Sequence, residues 1–214
     1  MSATERREQL IRVARTLFAQ QGFDSTSVEE LAATAHVSKP VVYEHFGGKE
    51  GIYAVIVDRE VQKLTSTIIA SLDVGGHPRE IVERTSLALL KYIEHNSDGF
   101  RVLVRDSPIT QTGSTFSSLI GDVASKVEHL LADQFARRGL NAHFAPMYAQ
   151  MLVGMIALTG QWWLEAREPD TSQVAAHLVN LAWNGLRGMQ REPHLTIDHD
   201  SAVLPFASGD DCAH

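Results

Sequence analysis

Apolar residues return every three or four positions along nearly the whole sequence, and nowhere do they alternate with polar ones over the length of a strand. That period commits each segment to an amphipathic helix and leaves no half-buried strand to build a sheet from. An all-α fold follows. Leu10, Val13, Ala14, Leu17 and Phe18 make the first stripe, and Gly22 stands where a helix-ending glycine commonly does. Ser27-Val28-Glu29-Glu30 has capping-box form and opens a shorter stripe of Val28, Leu31, Ala32 and Ala35. Ser38 is a second N-cap candidate, Pro40 suits a first turn, and Val42 and Phe46 pair one turn apart. After Gly47-Gly48 a longer helix is predicted over 49–72, with further helices at about 79–96, 99–106, 115–138, 144–168 and 171–190.

The pattern divides the chain. Asp73-Val74-Gly75-Gly76-His77-Pro78 is the clearest internal punctuation, and Pro108–Gly113 reads as a turn region. Residues 1–50 form a three-helix unit, 51–72 a connecting helix, 73–191 a larger helical bundle and 192–214 an acidic tail without periodicity, expected to be disordered. Hydrophobic residues at 44% are enough to bury a core, and one cysteine, Cys212, excludes a disulfide scaffold. The start, MSATERREQLIR, lacks an apolar leader core, and no run is long enough to span a membrane, so a cytoplasmic chain is expected.

A net charge of −7 argues at first against a polyanionic partner. It is unevenly spread. Glu192, Asp198, Asp200, Asp210 and Asp211 sit in the tail, where residues 192–214 include no Lys or Arg, whereas residues 1–63 are close to balanced. Local clusters can therefore still make a basic face.

The helix pair at 27–35 and 39–46, joined by a tight turn, has helix-turn-helix spacing. In such a unit the second helix packs one face, here through Val37, Val42 and Phe46, and offers its exposed start to base edges. Ser38 and Lys39 can hydrogen-bond there, while Pro40 and Val41 can meet thymine methyls. Tyr43, His45 and Lys49, with Thr26 and Ser27 at the preceding helix start, are the candidate phosphate contacts.

From Arg12 to Ile52 the chain resembles the TetR family of bacterial regulators. The residues that carry this are Thr16–Phe23, Thr26-Ser27-Val28-Glu29-Glu30-Leu31-Ala32, Ala35-His36-Val37-Ser38 and Val42-Tyr43-Glu44-His45-Phe46-Gly47-Gly48-Lys49-Glu50. Two positions depart from the family pattern. His36 stands where glycine is usual in the turn, a site that often needs a left-handed backbone. Gly51 replaces a bulkier residue and is expected to loosen the first turn of the fourth helix. The resemblance implies a homodimer on a palindromic double-stranded DNA operator, controlled by a small effector held in the C-terminal bundle, most often as a repressor.

In the bundle, Met147, Met151, Leu152, Met155, Ile156, Leu158, Trp162 and Trp163 give one helix an apolar surface wider than a single stripe. The next helix carries Val174, Leu178, Leu181, Ala182, Trp183 and Leu186. With Gly154, Gly160, Gly185 and Gly188 allowing close approach, these two helices are the candidate dimer face. Pocket candidates are Phe100, Leu103, Val104, Phe116, Leu119, Ile120, Val123, Val127, Leu130, Met151, Met155 and Trp162, with no charge among them. Arg101 and Arg105, one turn apart, are candidates for an anionic head group. Tyr92–Arg101 and Gly160-Gln161-Trp162-Trp163-Leu164 further resemble actinobacterial TetR regulators of fatty-acid and mycolate metabolism, which implies a long-chain acyl-CoA or fatty-acid effector. A multidrug-sensing repressor of an efflux pump is an alternative, and so is a lipid-binding protein without DNA binding.

No phosphate loop, nucleophile elbow or zinc-protease motif occurs, so no enzyme is expected. Ten histidines have no cysteine partners at ligand spacing, and no metal or cofactor is expected.

Overall fold

The computed structural model describes residues 2–105 and 115–195, and among these every regular element is helical. The helices are α1 (Ala3–Gln21), α2 (Val28–Thr34), α3 (Lys39–Phe46), α4 (Lys49–Asp73), α5 (Pro78–His95), α6 (Ser97–Val104), α7 (Thr115–Arg138), α8 (Ala145–Ala166) and α9 (Thr171–Arg187). A 3-10 turn over Ala142–Phe144 leads into α8. The turn read at Pro108–Gly113, and the tail from residue 196 onward with Cys212, lie outside the described residues.

Local chemistry sets the helix ends. Ser2 and Glu5 close a full capping box on α1. At α2 only half of one forms: Ser27 Oγ accepts from the Glu30 N–H at 3.1 Å, while the Glu30 carboxylate accepts from Gln21 Nε2 at 2.7 Å. Gly47, left-handed at φ 74°, ends α3. His36 takes φ 54°, so the turn between α2 and α3 keeps the left-handed backbone that glycine would otherwise supply.

Two cores form. Leu10, Ala14, Phe18, Leu31, Val42, Ile52 and Ile56 close the N-terminal one, with Val102 of α6 reaching into it. Leu64, Ile68, Leu90, Ile93, Phe100, Trp163, Leu164 and Leu178 belong to the second, larger one. Helix α4 serves both, its first turns in one and its last in the other.

Gly51 corrects an expectation. A Cβ there would overlap the main-chain carbonyl of Phe46, so the missing side chain lets α4 press against the end of α3. The residue tightens this corner of the fold. Gly160 likewise faces α5 within the same chain, where a Cβ would meet Ile93 Cδ1 at 2.8 Å, and so is not free for a second subunit.

Candidate nucleic-acid interface and internal cavity

Helix α3 is held from behind by the buried Val42, which leaves Ser38, Lys39, Pro40 and Tyr43 exposed on one side and Val41 and His45 partly so. Tyr43 is 54% exposed, unusual for an aromatic ring with no role in packing. Ser38 makes no capping bond with its side chain, so its hydroxyl is available. Lys39 is not a free cation: its ammonium pairs with Glu29 across the turn, and that bond, more than the neighbouring charge, holds the Glu29 carboxyl below the usual range. Arg7 lies over the Phe46 ring at 4.9 Å, which brings the start of α1 beside the end of α3.

Two of the phosphate candidates are differently engaged. Thr26 is buried, and its hydroxyl donates to the Gly22 carbonyl at 2.7 Å, so it fastens the loop after α1. Lys49 turns its ammonium onto the carbonyl oxygens of Phe23 and Thr26, at 3.1 and 3.0 Å, and over the Phe23 ring at 4.4 Å. That loop has its backbone acceptors answered by a cation from α4, and Lys49 is a staple of the head's own structure. Ser27, capping α2, remains exposed beside it.

The head joins the bundle through polar contacts. Glu60 of α4, only 5% exposed, accepts from Arg15 Nη1 at 3.1 Å and from the Tyr92 hydroxyl at 2.7 Å. Burial, then the bond to Glu60 and its charge, push the Tyr92 phenol well above its ordinary range. Gly99 of α6 lies flat on this carboxylate, and a Cβ there would collide with it. Beside it, Thr16 donates to Asp98 at 2.8 Å. None of this was read from the sequence. A lone Glu within an amphipathic helix gives no sign of which distant residues meet it.

A cavity of about 170 Å³ runs between α4, α5, α7 and α8. One water needs roughly 10–15 Å³ on the same measure, so the space suits a chain of on the order of ten methylene-sized groups. Phe116, Leu119, Ile120, Val123, Val127 and Leu130 line one side, as the sequence pattern anticipated. The opposite wall was not anticipated: Leu64, Ile68 and Leu72 from α4, with Ile81, Val82, Thr85 and Leu89 from α5. Its side-chain polar groups are those of Thr85 and Gln134 alone.

Several other candidates stand elsewhere. Phe100, Leu103, Val104 and Met155 belong to the surrounding core without lining the cavity. Met151 and Trp162 are 56% and 55% exposed and point away from it. With Met147, Leu158 and the open Gly154 they form a stripe along the outside of α8, and Leu181 of α9 is exposed as well. Arg101 donates twice to Glu165, at 2.8 and 3.1 Å, and Arg105 reaches the Phe18 carbonyl at 3.5 Å. Neither borders the cavity.

Comparison with known proteins covers both regions. Residues 10–56 match the family model of bacterial regulatory proteins of the tetR family, and residues 78–185 match the tetracyclin repressor-like C-terminal domain. The HTH-type transcriptional activator FasR of Mycolicibacterium smegmatis is 30% identical over 184 residues, 85% of this chain and 83% of its own. A TetR-like regulator of Rhodococcus sp. RHA1 superposes with a TM-score of 0.67 at 26% identity, covering 86% of this chain and 97% of that one. The fatty acid degradation regulator FadR of Bacillus halodurans shares the fold, with a TM-score of 0.66 at 16% identity over 85% of this chain and 96% of its own.

Proposed function

This chain belongs to the TetR family, which makes it a DNA-binding transcriptional regulator and not an enzyme, and we propose that it works in the cytoplasm as a homodimeric repressor of lipid-metabolism genes, released by a largely apolar effector such as a long-chain acyl-CoA or fatty acid. The observation that carries the effector part is the uncharged cavity beside α4, the helix that also supports the reading head.

Each half of a palindromic operator would receive the start of α3. Ser38, Pro40 and Val41 face the base edges, while Tyr43, His45 and Ser27 hold the phosphates on either side. The Lys39–Glu29 pair lowers the positive potential of this surface, so binding relies on a few placed contacts doubled by the dimer. Tyr43→Ala should weaken binding to every duplex and reduce the salt slope, whereas Val41→Ala should shift which sequences win from a random library. Gel shifts with both variants check this, and equal binding by Tyr43→Ala would remove α3 from the interface.

The stripe Met147, Met151, Leu158 and Trp162 supports dimerisation, since water-exposed side chains of that size on one helix face favour a second apolar surface. Leu158→Glu should give a monomer by light scattering and cost most of the operator affinity. A reporter carrying the operator tests the direction of control, for which relatives offer both precedents: an activator in M. smegmatis and the transcriptional repressor Rv3405c of Mycobacterium tuberculosis. Extraction of native protein followed by mass spectrometry separates a lipid effector from a drug-like one.

A further inference from the structure

We infer that the cavity takes a single-chain amphipath with an anionic head, and that the head is held at the end of the bundle remote from α1–α3, between Arg84 on one side and Arg138 and Arg187 on the other. This rests on reading the cavity as the effector site.

The interior cannot hold the head. With Thr85 and Gln134 as its side-chain polar groups, and the Thr85 oxygen already accepting from Ser71 at 3.1 Å, an ionised group inside would lose its hydration without a counter-charge. That loss favours poses that leave the charge where the cavity meets water.

The lining shows where that is. Toward α6 the wall consists of Leu64, Leu89, Phe116 and Ala157, all buried, and Phe116 stands edge-on to Phe100 with ring centroids 5.6 Å apart. That end is closed. At the other end Pro78, Gln134 and Leu186 are partly exposed, and Gly76 is exposed while still lining the cavity. The His77 ring lies 5.1 Å from Trp183, which sets the start of α5 beside the last turn of α9, so these residues frame one opening.

Arg84 and Arg138 flank it, and Arg187 follows Leu186 in its rim. Arg84 donates to the Gly75 carbonyl, both its terminal nitrogens are 3.8 Å from the position of a Cβ on Gly76, and its Nε is buried with no hydrogen-bond partner. Across the opening Arg138 donates to the carbonyls of Leu186 and Arg187, at 2.8 and 3.0 Å, which ties the ends of α7 and α9 together. Neither Arg138 nor Arg187 has an acidic partner among the described residues. Glu80 shares the corner, accepting from the His77 N–H and lying 3.9 Å from Arg84. Lys126 nearby is neutralised by Asp73 at 2.9 Å. At the closed end Arg101 is occupied by Glu165.

The test is titration calorimetry of the full chain with dodecanoate, dodecyl phosphate and dodecanol, repeated on Arg84→Gln/Arg187→Gln and on Arg101→Gln. At least one anion should bind the native chain about tenfold or more tightly than the alcohol, and the stronger anion names the head chemistry. The ratio should fall to within about twofold in the double variant with alcohol affinity retained, and should persist in Arg101→Gln. Equal affinities in the native chain, a ratio unchanged in the double variant, or a ratio lost in Arg101→Gln would each overturn the assignment. If none of the three probes binds, the effector reading of the cavity fails first, and the head site with it.

Discussion

The two ends of α4 sit in surroundings built to opposite standards. At its start the helix touches the backbone of α3 at Gly51, is fastened to the loop after α1 by Lys49, and buries Ile52 and Ile56 in a filled core. At its far end Leu64, Ile68 and Leu72 border empty space. A close-packed region has few alternative arrangements of similar energy, so it keeps its shape and can present side chains to a rigid partner. A hollow region leaves dispersion contacts unmade, and a ligand that supplies them changes the energy of whichever arrangement it fits. One helix thus joins a part that must not deform to a part that gains by deforming, and Glu60 lies between them.

The largest effect should come from breaking the tight end. Gly51→Ala places a methyl on the Phe46 carbonyl, which cannot move without undoing the end of α3, and a cost of about 3 kcal/mol or more is expected. Operator binding should disappear in a gel shift while the bundle still melts cooperatively. An alanine variant with native affinity would show the corner to be as yielding as the cavity.

A middle-sized effect should follow at the joint. Glu60→Gln keeps the shape but removes the charge that Arg15 and Tyr92 share, at a cost of roughly 1–2 kcal/mol, because Arg15 is partly exposed and can be rehydrated. For a chain of this size that is a fall in Tm of about 2–8 °C. Calorimetry should also separate head and bundle into two transitions where the native chain shows one. A single transition at the native temperature would mean that the two regions are coupled by apolar contacts alone.

The smallest effect is at the surface. Glu8 accepts from both terminal nitrogens of Arg59, at 2.7 and 2.8 Å, and this bond holds its carboxyl below the ordinary range. Since the folded value is the lower one, the stabilisation is complete above the ordinary carboxylate value of about 4.3 and is lost as pH falls through the depressed value. Exposure and screening limit it to a few tenths of a kcal/mol. Glu8→Gln should therefore lower the urea midpoint slightly at pH 7, and the difference from the native chain should shrink as pH falls below the ordinary carboxylate range.

Much of this molecule is written in local pattern. Helix α3 begins and ends where Ser38, Pro40 and Gly47 place it, and the head was recognisable because its determinants lie within about forty consecutive residues. One wall of the cavity was legible for the same reason, α7 carrying its apolar stripe in a single helix. The other wall was not, because α4 and α5 have ordinary core stripes and nothing local says that a stripe faces a void.

By itself, then, the sequence determined the helices, their ends, the helix-turn-helix and the family, all of which depend on interactions between residues a few positions apart. Only the tertiary structure decided what each face and each charge would meet. Trp162 and Trp163 are adjacent, yet one is half exposed and the other buried, since a helix apolar on several sides does not say which side a neighbour will cover. Lys49 looked like a phosphate contact and became a staple, and Arg101, matched with Glu165 across 64 positions, was removed from the effector's reach. Gly51 looked like a weak point and proved to be where α4 presses on the end of α3. Long side chains reach partners that are remote in sequence, and a missing side chain is informative only when the atoms filling its place are known.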